Sequence, residues 1–198
     1  MIIYTKMYGA PPINRKEILR YAGCAEADEA TAALMEDCLG ESTGTLTYKI
    51  CFGELPVSIA GEMCDFGTFS FSSENLARNL AGCPRVILFA ATVGVGIDRL
   101  IHKYSRITPS RALMMQAIGA ERIEALCDLF CSDIEKERGV SLRPRFSPGY
   151  GDLPLSVQKD IIALLDTSKR IGLSLNDSLL MSPTKSVTAF AGITNTTE

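Results

Sequence analysis

The sequence predicts a domain of the α+β class, in which helices and strands follow one another without strict alternation. Apolar residues recur with a helical period in several segments, and separate alternating or continuous apolar runs indicate strands. Because the two kinds of segment do not alternate one by one, a doubly wound parallel sheet is disfavoured. The chain of 198 residues is long enough to bury a substantial core, and we expect a single domain.

Two helices and a hairpin are predicted near the start of the chain. A short helix is expected over residues 13–22, and a second helix over residues 25–39 is expected to end at Gly40. The stretch 45–59 has a period of two residues, which predicts a hairpin that turns at residues 52–54.

The middle of the chain predicts two extended segments and two helices. Residues 66–71 are expected to be extended, and Ser73 then offers an N-cap for a helix that continues through Leu80. The apolar run 86–92 predicts a buried strand, and a helix is expected over residues 97–104.

A long helix, a shorter helix and a strand are predicted in the last part of the chain. Thr108–Pro109 combines a capping hydroxyl with a proline at the first helical position, and the apolar period then continues to Gly139. A helix is expected over residues 157–171, a turn and a strand over residues 181–193, and a frayed tail over residues 194–198.

Composition and charge favour a cytoplasmic protein with reduced thiols. The net charge of −3 argues against non-specific binding to nucleic acid, which requires a basic surface. Seven cysteines at irregular spacing are a poor disulfide framework. The longest apolar run, residues 86–97, falls short of the roughly 20 residues that span a bilayer, and no signal peptide is predicted.

Gly94 and Gly96 suggest one ligand site, because a strand, a G-x-G pair and a helix are typical of a dinucleotide or S-adenosylmethionine loop. The third glycine is absent, however, and no acidic residue ends an apolar strand about 20 residues later. Tight packing of strand against helix is therefore the favoured interpretation. An independent methyltransferase that uses these two glycines is the minor alternative.

Other candidate ligands and bases are isolated. Cys127 and Cys131 lie one helical turn apart, but they lack further metal ligands nearby in the sequence, so a buried helix face is expected. His102, the single histidine, has no partner pattern of a catalytic triad. We therefore predict neither a metal site nor an acid–base catalytic residue.

The loop at residues 145–154, RFSPGYGDLP, is the strongest candidate for a binding site. Arg145 supplies a fork of N–H donors that suits a carboxylate. Pro148 and Gly149 respectively stiffen the backbone and permit a close approach to it. Tyr150 adds an aromatic face with a hydroxyl, which suits an adenine edge or a sulfonium cation.

The same loop carries a resemblance to a known family. Residues 145–159, RFSPGYGDLPLSVQK, and residues 171–187, IGLSLNDSLLMSPTKSV, resemble the activation (reactivation) domain of cobalamin-dependent methionine synthase. The family motif R-x-x-x-G-Y, its later proline and its lysine appear here as Arg145, Gly149, Tyr150, Pro154 and Lys159. The resemblance covers roughly residues 66–193, the activation-domain-like core, and residues 1–65 form an N-terminal helical and hairpin part that is more like free-standing relatives of that domain.

This resemblance implies a twisted antiparallel sheet with flanking helices and a site for S-adenosylmethionine. Arg145 would hold the methionine carboxylate, the backbone around Ser147 and Gly149 the adenosine part, and Tyr150 would pack on the ligand. The implied function is support of the reductive remethylation of cobalamin on a partner methionine synthase or related corrinoid protein, with a flavodoxin-like reductant. His102 lacks the cobalamin-binding loop pattern, so cobalamin is expected only on the partner chain.

Three departures from the family pattern support an alternative function. The acidic residue that precedes the arginine motif has no clear counterpart in residues 139–142, and Glu137 is an open candidate for it. Phe190–Ala191 stands where the family places a ligand-contacting tyrosine, and the segment that carries an early ligand-binding aspartate has no counterpart. The alternative is a docking protein for a corrinoid methyl-transfer system that has lost ligand binding.

Overall fold

The computed structural model describes residues 1–24 and 26–194. The strands are β1 (Ile3–Tyr8), β2 (Tyr48–Pro56), β3 (Ser58–Ala60), β4 (Met63–Asp65), β5 (Ser70–Ser72), β6 (Arg85–Thr92), β7 (Ser141–Leu142), β8 (Ser174–Leu175), β9 (Met181–Ser182) and β10 (Ser186–Thr194). The helices are α1 (Arg15–Tyr21), α2 (Glu29–Thr43), α3 (Glu74–Asn79), α4 (Gly96–Ser105), α5 (Pro109–Arg138), α6 (Val157–Leu165) and α7 (Thr167–Ile171).

A five-stranded sheet in the order β1–β2–β6–β10–β7 organises the fold, and every neighbouring pair in it is antiparallel. Side chains alternate across the central strand β6. Ile87, Phe89 and Ala91 pack on the side of α5, whereas Val86 and Leu88 pack on the side of α6. The sheet is therefore covered on both faces, which is why β6 is apolar along nearly its whole length.

The long helix α5 lies against one face of the sheet, and its ends fall where the sequence predicted them. Pro109 begins the helix, and Gly139 ends it in the left-handed region at φ 62°. Thr108 occupies the N-cap position, but its hydroxyl does not make the predicted capping hydrogen bond. Phe130 on this helix contacts Phe52 and Phe89, with ring centroids 5.0 Å and 4.9 Å away. These contacts fix the helix across strands β2 and β6.

A buried ion pair on α5 holds the N-terminal segment. Arg122 is 2% exposed and contacts the carboxylate of Glu121 through Nε at 2.5 Å. The same guanidinium donates to the carbonyl oxygens of Pro11 and Pro12, each at 2.6 Å. Glu121 in turn accepts a hydrogen bond from the backbone N–H of Asn14 at 2.9 Å. The pair is thus fully hydrogen-bonded, which a buried charge requires.

Two predictions for the first part of the chain are wrong. Residues 45–59 do not form a hairpin at residues 52–54, because β2 continues through Gly53 and pairs with β1 on one side and β6 on the other. The second helix does not end at Gly40 but continues to Thr43. Strand β1 was not predicted, and the expected helix position Ala25 lies outside the described residues.

Two predicted elements in the rest of the chain need correction. The helix expected over residues 157–171 is divided into α6 and α7 by Asp166, whose φ of 49° is left-handed. The extended segment 66–71 contributes only its last residues to β5. Ser73 caps α3 as predicted, since its side chain accepts from the N–H of Leu76. Residues 195–198 of the predicted tail lie outside the described residues.

Within residues 1–24 and 26–194, no helix combines the length and the apolar composition needed to cross a membrane.

We predict that Arg122→Met destabilises the chain by about 3 kcal/mol, because it leaves the buried Glu121 carboxylate without its cationic partner and removes the donor that binds the Pro11 and Pro12 carbonyls. Chemical denaturation monitored by circular dichroism measures this change. The matched control is Arg20→Met, which removes an exposed ion pair with Glu17 and should change stability little. Equal effects of the two variants would contradict the anchoring role of Arg122.

Candidate functional site

The loop that follows β7 is tied to the end of the sheet before it turns. The backbone N–H and C=O of Phe146 both pair with Phe190 of β10, each at 2.9 Å. The chain then folds back on itself, because the N–H of Gly149 donates to the carbonyl of Leu153 at 2.9 Å. Gly149 has a φ of 91°, a conformation that residues with a Cβ rarely adopt. The glycine of the predicted motif therefore shapes the turn.

Asp152 fastens the far end of this loop to α3. It accepts hydrogen bonds from the Ser73 hydroxyl at 2.6 Å and from the backbone N–H groups of Glu74 and Asn75 at 2.6 Å and 3.2 Å. The Ser73 bond is the largest cause that lowers the pKa of Asp152, which falls to about 2. The carboxylate also lies at a helix N-terminus, where negative charge is stabilised.

A cavity of about 500 Å³ lies between this loop, β10 and the facing sides of α5 and α6. Its volume is within the range typical of small-molecule sites. The lining residues come from five segments of the chain: Glu124, Arg145, Phe146, Ser147, Pro148, Tyr150, Gln158, Met181, Ser186, Val187 and Thr188.

Arg145 stands in the wall of the cavity with its charge already paired. Its Nη2 contacts Glu124 at 2.8 Å, and its Nη1 contacts Asp128 at 2.7 Å. Burial acts to lower the pKa of Arg145, but the neighbouring Cys127, Asp128 and Glu124 raise it, and the pKa lies above its ordinary value. The guanidinium is therefore a fixed cation, and two of its five N–H donors are engaged by carboxylates.

The structure brings most of the predicted binding residues together. Arg145, Ser147 and Tyr150 line the cavity, whereas Gly149 is absent from its wall and acts through the turn. Tyr150 is 70% exposed and lies at the mouth rather than against the protein. Whether these residues bind a ligand stays a prediction.

Sequence reasoning missed the two acidic residues that contact Arg145. Glu124, in the cavity wall, and Asp128, outside it, were not singled out, because nothing local distinguishes them from the other charged positions of α5. Glu137, the open candidate for the missing acid, pairs instead with Lys6 at 2.5 Å. Glu124 is the acidic residue that the structure brings both to Arg145 and to the cavity. A signal existed in the helical spacing, since residues 124 and 128 are four apart and share a face.

The Gly94–Gly96 segment is tightly packed, but against the connection between α2 and β2 rather than between a strand and a helix as predicted. A Cβ on Gly94 would overlap the side chain of Thr47, and a Cβ on Gly96 would overlap the carbonyl group of Thr45. Strand β6, which precedes these glycines, pairs antiparallel with both of its neighbours. The arrangement therefore lacks the parallel sheet of a dinucleotide-binding fold.

Among the described residues, neither the cysteines nor the histidine belong to a cluster of metal ligands. All seven cysteines are free thiols. Cys127 is buried on α5, and burial raises the pKa of its thiol. His102 is exposed on α4. Across the part of the chain that the structure describes, no group of three or more histidine, cysteine, aspartate or glutamate side chains is placed to hold a metal ion.

The fold and the loop define the class of protein. A family model described as the activation domain of vitamin B12 dependent methionine synthase matches residues 80–197, more than half of the chain. The chain therefore belongs to the family of methionine synthase activation domains, and the resemblance inferred from the loop sequence is confirmed.

A solved structure, described as the MetH reactivation domain bound to AdoHcy, has the same fold. It superimposes with a TM-score of 0.70 at 15% sequence identity, and the match covers 100% of this chain and 80% of that one. The predicted fold class, α+β with a twisted antiparallel sheet and flanking helices, is confirmed. A search of the curated proteins found no match.

We predict that Asp152→Asn lowers the thermal unfolding midpoint at neutral pH and that the difference from the native chain disappears in acid. A depressed pKa stabilises the folded state above the ordinary carboxyl value of about 3.9. This contribution is lost as the pH falls towards the folded pKa of about 2. Thermal melts at pH 6, 4 and 2.5 test it, with Asp160→Asn, an exposed neighbour, as control. A difference that persists unchanged at pH 2.5 would contradict the assignment.

Proposed function

We propose that this chain binds S-adenosylmethionine in the cavity beside Arg145 and supports the reductive remethylation of cobalamin on a partner methionine synthase. The observation that carries the proposal is the coincidence of two independent features. The R-x-x-x-G-Y loop that marks the family forms one wall of a cavity whose volume suits a ligand of this size. The solved domain of the same fold is described as bound to AdoHcy, the demethylated form of this ligand.

Arg145 and Glu124 together suit the amino-acid end of the ligand. An α-carboxylate is recognised by guanidinium N–H donors, and an α-ammonium group by a carboxylate. The two side chains lie 2.8 Å apart at their nearest atoms, so that they present opposite charges side by side. Besides the donors that contact Glu124, Asp128 and the Cys131 thiol, the five N–H donors of Arg145 leave two for a ligand. A zwitterionic group therefore finds both of its charges complemented at this wall.

Tyr150 and its neighbours make the mouth of the cavity accessible to a partner. Tyr150 is 70% exposed, and Leu180, next to the lining residue Met181, is 63% exposed. An aromatic face at an open mouth can pack on the sulfonium group while leaving its methyl group reachable. The chain's contribution to the reaction is accordingly the positioning of the methyl donor, and it needs no acid–base residue.

The cobalamin, carried by the partner chain, supplies the acceptor chemistry. With one electron from a flavodoxin-like reductant, it would provide the reduced cobalt nucleophile that accepts the methyl group, and S-adenosylhomocysteine would be the leaving group. The residues of this chain, Arg145, Glu124 and Tyr150, would hold the methyl donor with its sulfonium at the mouth of the cavity. Both the partner and the reductant are parts of the proposal, which rests on the family of the chain.

A docking protein without ligand binding is the second candidate. The observation that favours it is the state of Arg145, whose guanidinium is held by two carboxylates of the same chain. A residue used only as a structural tie would look the same. This alternative predicts association with a corrinoid protein that is indifferent to S-adenosylmethionine, whereas the main proposal predicts association that strengthens when the ligand is added.

We predict that Arg145→Ala weakens the binding of S-adenosylmethionine by at least about tenfold, because it removes a charge-assisted contact to the carboxylate. Isothermal titration calorimetry of the purified chain measures the affinity. Arg143→Ala is the matched control, since this exposed arginine lies two residues away and is absent from the cavity wall. Arg145→Lys keeps the charge but loses the fork, and it should fall between the two. Native affinity in Arg145→Ala would contradict the site assignment.

We further predict that adding the native chain to a cobalamin-bearing methionine synthase that lacks its own activation domain restores methylcobalamin. The reaction contains S-adenosylmethionine and a one-electron reductant, and the absorption spectrum of the corrinoid reports the change. Tyr150→Ala, an exposed substitution with no core contact, should slow the recovery. Recovery that proceeds equally without this chain would overturn the proposed role.

A further inference from the structure

Two residues of the cavity wall each carry a buried polar atom that has no hydrogen-bond partner among the described residues. Gln158, in the first turn of α6, is 6% exposed, and Thr188, on β10, is 1% exposed. Both residues line the cavity beside Arg145. Neither the Gln158 Oε1 atom nor the Thr188 Oγ1 atom makes a hydrogen bond to the described part of the chain. Ser186, which also lines the cavity, differs because its hydroxyl contacts Thr92 and Pro183, each at 2.8 Å.

Buried polar atoms without a hydrogen-bond partner destabilise the folded protein, so a place where two of them occur together is a candidate binding site. A buried polar group without a partner typically destabilises a protein by about 1–3 kcal/mol, and native structures keep few of them. The described residues contain five such side-chain atoms, and two of the five belong to residues that line this one cavity. A ligand that fills the cavity and bonds to both atoms would remove the penalty. Replacing the two side chains with apolar side chains of the same shape would also remove this penalty, without any ligand.

The two polar groups also differ in kind from the charged pair in the same wall. Arg145 and Glu124 suit ionic groups, whereas an amide and a hydroxyl suit neutral donors and acceptors. The side chain of Gln158 offers one N–H₂ donor and one C=O acceptor next to each other. An adenine edge presents the complementary pair, an amino group beside a ring nitrogen, and amide side chains bind it through two parallel hydrogen bonds.

We propose that Gln158 recognises the adenine base of the ligand and that Thr188 hydrogen-bonds the adenosine part beside it. The inference rests on the proposed function and deepens it by dividing the cavity into an ionic end and a nucleoside end. Gln158 and Thr188 are then specificity-determining residues for an adenosyl compound. They act in addition to the loop residue Ser147, which also lines the cavity.

The test uses two substitutions that keep the shape and remove the polar atoms, Gln158→Met and Thr188→Val. S-adenosylhomocysteine, which is chemically stable, is the probe, and calorimetry measures its affinity for the full chain. We expect Gln158→Met to bind about tenfold or more weakly and Thr188→Val several-fold more weakly. Asp160→Asn, an exposed change on the same helix, should bind as the native chain does.

A second measurement distinguishes recognition from a structural role. Because the removed atoms are unsatisfied in the ligand-free chain, both variants should melt at the same temperature as the native chain or higher. The stabilisation of the native chain by saturating ligand should shrink in both. Adenosine alone should lose affinity for Gln158→Met, and free methionine should not.

The outcomes separate the two levels of the proposal. A native chain that binds neither S-adenosylmethionine nor S-adenosylhomocysteine overturns the proposed function and this inference with it. A native chain that binds, with Gln158→Met and Thr188→Val unchanged in affinity, overturns the inference alone and assigns the two polar groups to bound water. A lower melting temperature of both variants, without any change in ligand affinity, assigns them to the fold.

Discussion

Glu121 and Arg122, the buried ion pair on α5, hold the N-terminal segment against the rest of the chain. The same helix carries Glu124 and Asp128, about one and two turns after the ion pair, and both of them contact Arg145 in the loop. A shift of α5 along its axis would therefore disturb both the anchor of the first residues and the charged wall of the cavity. Burial of the pair makes such a shift costly, because either charge without its partner would remain desolvated.

The cavity exists because strand pairing stops part of the way along β10. Phe190 directs both of its backbone groups at Phe146, and backbone direction alternates along an antiparallel strand. The backbone groups of Thr188 therefore point to the same edge of β10. Among the described residues, no strand pairs with this edge between Ser186 and Phe190. The loop leaves the edge there, and the hydrogen bond between Asp152 and Ser73 holds it against α3. The opening between loop and strand is a consequence of these two attachments.

Local signals in the sequence were enough for part of this structure. Pro109 and Gly139 mark the ends of α5, and Ser73 marks the start of α3, because caps act within a few residues. Strand β1 and the unbroken course of β2 depend on pairing between distant residues, which no local pattern encodes. That the chain forms a single domain stays a prediction, which the shared sheet of β1, β2 and β6 favours.

The residues of the candidate site also differ in whether a local sequence pattern predicts them. Arg145, Ser147, Gly149 and Tyr150 were accessible to prediction because one short loop contains them. Glu124, Gln158 and Thr188 were not, because each comes from a different element and becomes notable only beside the cavity. The ion pairing of Arg145 is likewise a property of the assembled fold, since both carboxylates that contact it lie on α5.

The balance of charge at this wall bears on which form of the proposed ligand it retains. Arg145 contacts Glu124 in the cavity wall and Asp128 just outside it, so the three charges together have an excess of one negative charge. S-adenosylmethionine carries a sulfonium cation that S-adenosylhomocysteine lacks. In the proposed complex the excess charge would favour the methyl donor over its product, modestly, because Asp128 is largely exposed and water screens it. Transfer of the methyl group would remove this attraction at the moment when the product has to leave, so that the same charges would hold the donor more strongly than the product.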